Sequence, residues 1–249
     1  MVKRTIFFLV ILFTALSLYS FVNFAYPAKK NRSVQENHPP VVKITAPKNN
    51  SVYEWNSAVN YTITVSDQED GESKFDEIPA NEVFLQVNYS KDSLKSSIPS
   101  TAVNDGLATM RTSNCLNCHA FNTKLIGPSF YDINKRYTAN KPGSELLVKH
   151  ILEGSTGVWG NVAMPTHPEL TKEETQNIVD WIIKNGAEQN VTYYRGTEGS
   201  LKIKPPVGPD GNGFLILTAS YIDHGAKDNA KQKLRGLDVI ILQTHTVTK

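Results

Sequence analysis

Cys115 and Cys118 are the only cysteines in the chain, two residues separate them, and His119 follows directly. So close a pair cannot staple distant parts of a fold, and its chemistry must be local. In the pattern C-x-x-C-H each thiol can add across a vinyl group of a porphyrin, while the adjacent imidazole is delivered to the iron from one side. A helical turn suits this task because residues three and four apart share one face. A thioredoxin-like redox pair would expect a βαβ setting, which the residues around Cys115 do not offer. A zinc site needs four ligands, and a second Cys or His pair at zinc spacing is missing. The pattern points to one covalently attached haem c.

An iron ligand on the far side of the ring is sought among few candidates. Of three methionines, Met1 is the initiator and Met110 lies just before the attachment motif, on what should be the same helix. Met164 remains, in Val162-Ala163-Met164-Pro165, where the chain has room to pass around the ring. His150 and His167 are rivals: His150 falls in an amphipathic stretch and reads as a surface or packing residue, whereas His167 lies only three residues past Met164.

The elements expected around these residues are helical. Leu107 to Phe121 should form a first helix with the motif at its C-terminal end. Ser129 to Tyr137 and Ser144 to Glu153 should be short helices, each opening on a capping serine. Thr171-Lys172-Glu173-Glu174 reads as a capping box. It opens a helix whose stripe of Ile178, Val179, Trp181, Ile182 and Ile183 should pack across the first.

These segments together resemble class I cytochrome c, in particular the short bacterial kind. The resemblance runs from near Val103 to Ala187. It is carried by Cys115 to His119, Ile126-Gly127-Pro128-Ser129, Gly154-Ser155-Thr156-Gly157-Val158-Trp159-Gly160, Met164-Pro165 and the closing helix with Trp181. It implies an all-α haem domain over 103–187, with His119 and Met164 as axial ligands and the Pro128 carbonyl accepting the other imidazole N–H. It also implies that the Trp159 indole points to a haem propionate, against which stands plain core packing of that ring.

On either side the sequence alternates apolar and polar residues like half-buried strands: Val41 to Thr45, Val59 to Val65 and Val83 to Tyr89 before, Ser200 to Lys204, Phe214 to Tyr221 and Leu237 to Gln243 after. Neither half can bury both faces of a sheet. Joined, they supply about six strands. The segments resemble the opening and closing strands of an immunoglobulin-like (PKD-like) sandwich, with halves at 39–95 and 192–249 and the haem domain inserted between its third and fourth strands. The expected class is therefore α + β, multidomain. Asp67-Gln68-Glu69-Asp70-Gly71-Glu72 reads as a solvated turn, the rival being a calcium site of oxygen ligands.

Lys3 and Arg4 precede an uncharged apolar stretch, Thr5 to Ala28, which reads as a signal peptide or an uncleaved membrane anchor; residues 29–38 read as a linker. With 249 residues, a net charge of +2 and 20% charged residues, nothing in the composition suggests a nucleic-acid partner. The expectation is an exported, extracytoplasmic electron carrier and not an enzyme, exchanging single electrons with a redox donor and an acceptor. A subunit of a periplasmic or membrane sugar dehydrogenase complex is the alternative, the sandwich then being a docking or carbohydrate-binding module. A haem sensor or peroxidase would require Met164 to leave the iron.

Overall fold

The computed structural model describes residues 36–91, 106–138, 143–188, 190–203, 212–230 and 232–245. The leader and residues 29–35 of the linker lie outside the described residues. Among those described, no helix is long and apolar enough to cross a membrane.

Nine strands are described: β1 (Val41–Ala46), β2 (Val52–Glu54), β3 (Ala58–Asp67), β4 (Gly71–Glu72), β5 (Phe84–Ser90), β6 (Val191–Arg195), β7 (Glu198–Lys202), β8 (Gly213–Ile222) and β9 (Arg235–His245). One sheet has β3 at its centre with β1, β4 and β7 around it; the other runs β2-β9-β8-β5-β6. Alternation along β3 aims one apolar face at the other sheet. Along β3, Val59, Tyr61, Ile63 and Val65 point inward while their neighbours are exposed. They share one core with Leu85 and Val87 of β5, Leu215 and Leu217 of β8, and Ile240 and Leu242 of β9. Each such apolar side chain, once buried, contributes roughly 1.5–3 kcal/mol.

Strands from the two ends of the sequence pair directly. Strand β7 lies antiparallel to β3, and β6 lies antiparallel to β5 with Phe84 opposite Arg195 and Asn88 opposite Val191. The helical segment therefore leaves and rejoins one sheet at adjacent strands, the fifth and sixth in chain order rather than the third and fourth. Alternation does not extend to every strand: β8 is buried on both faces along most of its length. Strands β2 and β4 are too short to show a period, and all but the last residue of β6, Val-Thr-Tyr-Tyr-Arg, are half-buried on both faces.

The helices are α1 (Gly106–Thr112), α2 (Cys115–Cys118), α3 (Phe130–Thr138), α4 (Gly143–Glu153) and α5 (Lys172–Asn185). The single first helix expected over Leu107 to Phe121 is broken. Thr112, Ser113 and Asn114 are poor helix formers, and Asn114 takes a left-handed φ of 60°, which Asn tolerates better than most residues. Helix α5 opens on the expected capping box: the Thr171 hydroxyl accepts from Glu174 N (3.2 Å) and the Glu174 carboxylate accepts from Thr171 N (2.8 Å). Helix α1 crosses α5 so closely that a Cβ at Gly106 would lie 2.1 Å from the Asn177 carbonyl oxygen. Ser144 does not cap α4, which already begins at Gly143; its hydroxyl instead accepts from the Gln176 side-chain amide on α5.

The helices are tied to the sheet. Phe84 of β5, only 3% exposed, belongs to the helical core. Arg111 of α1 lies over the Phe84 and Tyr221 rings and donates to the Ile222 carbonyl at 2.7 Å. The acidic turn is less solvated than its composition suggests. Asp67 is 8% exposed and accepts from the Glu69 and Asp70 amides, and Asp70 accepts from the Tyr221 hydroxyl and the His224 amide. Among the described residues no group of three or more His, Cys, Asp or Glu side chains could hold a metal ion.

Candidate haem site

The break at Asn114 sets up the site. It turns the chain so that α2 is a single helical turn, closed by His119 N donating to the Cys115 carbonyl at 3.0 Å. His119 then leaves the helix in extended conformation (φ −117°, ψ 136°), which carries its ring away from the turn. The imidazole Nδ1 lies 2.7 Å from the Pro128 carbonyl oxygen. A carbonyl only accepts, so Nδ1 carries the proton and Nε2 keeps its lone pair. Burial holds the His119 pKa below its ordinary value; the Pro128 bond opposes this and nearby His167 adds to it. The ring is thus a neutral imidazole.

Pro128 is fixed from its other side. Ser129 caps α3 by accepting from Asp132 N at 3.0 Å, and its hydroxyl donates to the Asp132 carboxylate at 2.6 Å. A buried Asn134 ties α3 to α5 by donating to the Ile182 and Ile183 carbonyls in the last turn of α5, where Ile182 O also accepts from Gly186 N at 2.8 Å.

Met164 comes from the loop after α4. It forms a two-bond bridge with Ser155, Met164 N to Ser155 O at 2.8 Å and Ser155 N to Met164 O at 3.1 Å. Gly154, with φ of 79°, lets the chain turn there, and a Cβ on it would lie 2.8 Å from the Met164 carbonyl oxygen.

All of the residues singled out from sequence, Cys115, Cys118, His119, Pro128, Trp159 and Met164, line one cavity of about 370 Å³. That volume lies within the range of cofactor pockets. Met110, His150 and His167 line it too. The His167 ring is engaged by Glu169 at 2.8 Å, and His150 Nδ1 lies 3.5 Å from the Tyr137 hydroxyl. Trp159 is 37% exposed and is not a core residue; the Arg136 guanidinium lies 4.6 Å from the centroid of its ring. Two residues have roles at the site that the sequence does not assign them, although Gly127 stands in a motif quoted above. Phe130 stacks on the His119 ring (5.6 Å, 21°), and Gly127 approaches it so closely that a Cβ would lie 2.5 Å from Cε1. The Gly-Pro pair after the motif was the available sign of the second; nothing in the spacing signals the first.

A family model described as cytochrome c matches residues 103–185. The chain is 33% identical over 79 residues to cytochrome c-551 of Stutzerimonas stutzeri, spanning 32% of this chain and 75% of that protein. With cytochrome c-551 of Ectopseudomonas mendocina it shares 33% over 78 residues, 31% of this chain and 94% of the relative. This chain belongs to the cytochrome c family. The solved cytochrome c552 of Nitrosomonas europaea is similar at 32% identity, covering 30% of this chain and 93% of that one, with a TM-score of 0.30.

As a cytochrome c it is an electron-transfer haem protein with one covalently attached haem c. The cavity fits such a group: it holds two thiols, a neutral imidazole with an unprotonated Nε2 and a thioether within largely apolar walls. Burial pushes the Cys115 thiol up to about 11. In cytochrome made without haem, Cys115 is therefore protonated at neutral pH. Its alkylation by iodoacetamide at pH 8 should be about two orders of magnitude slower than that of an ordinary exposed thiol of pKa near 8.5, rising as pH approaches 11. Peptide-resolved mass spectrometry measures this; an ordinary rate at pH 8 would show that the thiol is not buried.

Proposed function

We propose that this protein is an exported, extracytoplasmic carrier of single electrons, its haem c bound through Cys115 and Cys118 and its iron held by His119 and Met164. The observation that carries this reading is the convergence of those four side chains on one cavity, with His119 Nδ1 committed to the Pro128 carbonyl. The bound haem supplies a one-electron ferrous–ferric couple. The protein's part is to orient and to exclude water. Pro128 and Phe130 fix the imidazole plane, the Ser155 bridge presents the Met164 sulfur, and the Trp159 indole is available to a propionate. A thioether ligand and dry walls favour the reduced state, so electrons pass onward to a relatively oxidising acceptor.

Exposed Ile126 and Val162 at the cavity mouth, with Leu125 beside them, support transient docking through an apolar patch. The strands on either side of 103–187 are read as one immunoglobulin-like sandwich with the cytochrome inserted, a reading supported by the pairing of β5 with β6 and of β3 with β7. Domain insertion is tolerated where chain ends lie side by side at a surface.

Carbon monoxide tests the function. Added to the reduced, haem-loaded protein it should leave the spectrum unchanged, while one-electron reagents oxidise and reduce the protein reversibly. Tight binding to the reduced protein would mean an open iron position and a sensor or peroxidase instead of a carrier.

A further inference from the structure

We infer that Tyr193, a residue of strand β6 outside the haem fold, is a positioning residue for the iron-binding imidazole, so that the sheet sets the haem's redox potential. The inference rests on His119 being an iron ligand, as proposed above. A continuous set of rings joins the two residues. The His119 ring stacks on Phe130 (5.6 Å), and Phe130 meets Phe121 (5.6 Å) and Trp181 (6.2 Å). Tyr193 closes the set: it stacks on Phe121 at 4.6 Å and 28°, and its ring meets Trp181 at 5.5 Å and 63°.

The backbone makes this set mechanically stiff. Phe121 is two residues from His119, and the extended segment between them is bound to the start of α3, Phe130 N to Ala120 O and Tyr131 N to Phe121 O, both at 3.0 Å. Whatever presses on Phe121 therefore acts on the strip of chain that carries the imidazole, and on the helix start that carries Pro128. Tyr193 is what presses. Its own place is fixed by pairing in the sheet, opposite Gln86 of β5. Phe121 and Trp181 are only partly buried, so the phenol ring also keeps water from the aromatic wall behind His119. Letting water in would favour the more highly charged ferric state and lower the potential.

The test uses the full-length haem-loaded protein, with Tyr193→Ala and Tyr193→Phe. Two quantities are read: the midpoint potential, and the paramagnetically shifted ring resonances of the iron-bound imidazole. Tyr193→Ala should lower the potential and move those resonances, whereas Tyr193→Phe, which keeps the flat ring, should leave both at wild-type values. If the alanine protein does not fold, Tyr193→Leu replaces it, retaining apolar volume without the stack. Truncation that leaves both quantities unchanged overturns the inference, and so does a phenylalanine variant that moves both as far as truncation does. Should the shifted resonances of the wild type belong to a histidine other than His119, the ligand assignment itself has failed. Resonances that belong to His119 and stay put reject the role of Tyr193 alone.

Discussion

Replacing Met164 with alanine is expected to lower the midpoint potential by a sizeable fraction of the about 0.8 V that axial ligation spans across haem proteins. A thioether is a soft, neutral donor that favours ferrous iron. The substitution should remove it without unfolding the loop, because the Ser155 bridge is made by the Met164 backbone and not by its side chain. The freed position should accept carbon monoxide in the reduced protein. Potentiometric titration and the ferric absorbance spectrum check both outcomes. An unchanged potential and axial spectrum would transfer the role to His167 or His150, the other imidazoles of the cavity besides His119.

Gly127→Ala should be nearly as damaging, although it alters no ligand. Its Cβ would lie 2.5, 2.8 and 2.9 Å from the Cε1, Nδ1 and Nε2 atoms of His119, well inside contact distance. The backbone at 127 cannot yield freely, because Gly127 N donates to the Cys118 carbonyl at 2.8 Å within the attachment motif. The imidazole is confined by Phe130 and by its 2.7 Å bond to Pro128. Overpacking of this kind costs about 1–3 kcal/mol. Here it is relieved by tilting the ring, so a lower melting temperature should come with a shifted potential and a smaller haem-loaded fraction. Wild-type values for all three would show that the ring does not pack against residue 127.

What could be read without coordinates was chemistry confined to a few consecutive residues. The Cys115 to His119 motif, the Thr171 to Glu174 capping box and the alternation of β1 and β3 depend on neighbours within one turn or one strand, so type and spacing reveal them. The break at Asn114 was signalled only by Thr112-Ser113-Asn114, residues that form helices poorly but do not by themselves fix a left-handed turn. Strand β6 lacks alternation because one face, through Tyr194, meets the sandwich core while the other, through Tyr193, meets Phe121 and Trp181 of the helical segment.

The sequence by itself determined the cofactor class and a short set of candidate ligands, since thiol and imidazole reactivity at fixed spacing needs no distant partner. It also determined which segments would seek a sheet. Tertiary structure alone decided that β5 and β6 are neighbours, that Trp159 is partly exposed while Asp67 is buried, and that an aromatic wall runs from His119 to Tyr193. Those facts depend on residues far apart in the chain being packed together, and side-chain packing of that kind leaves no period along the sequence.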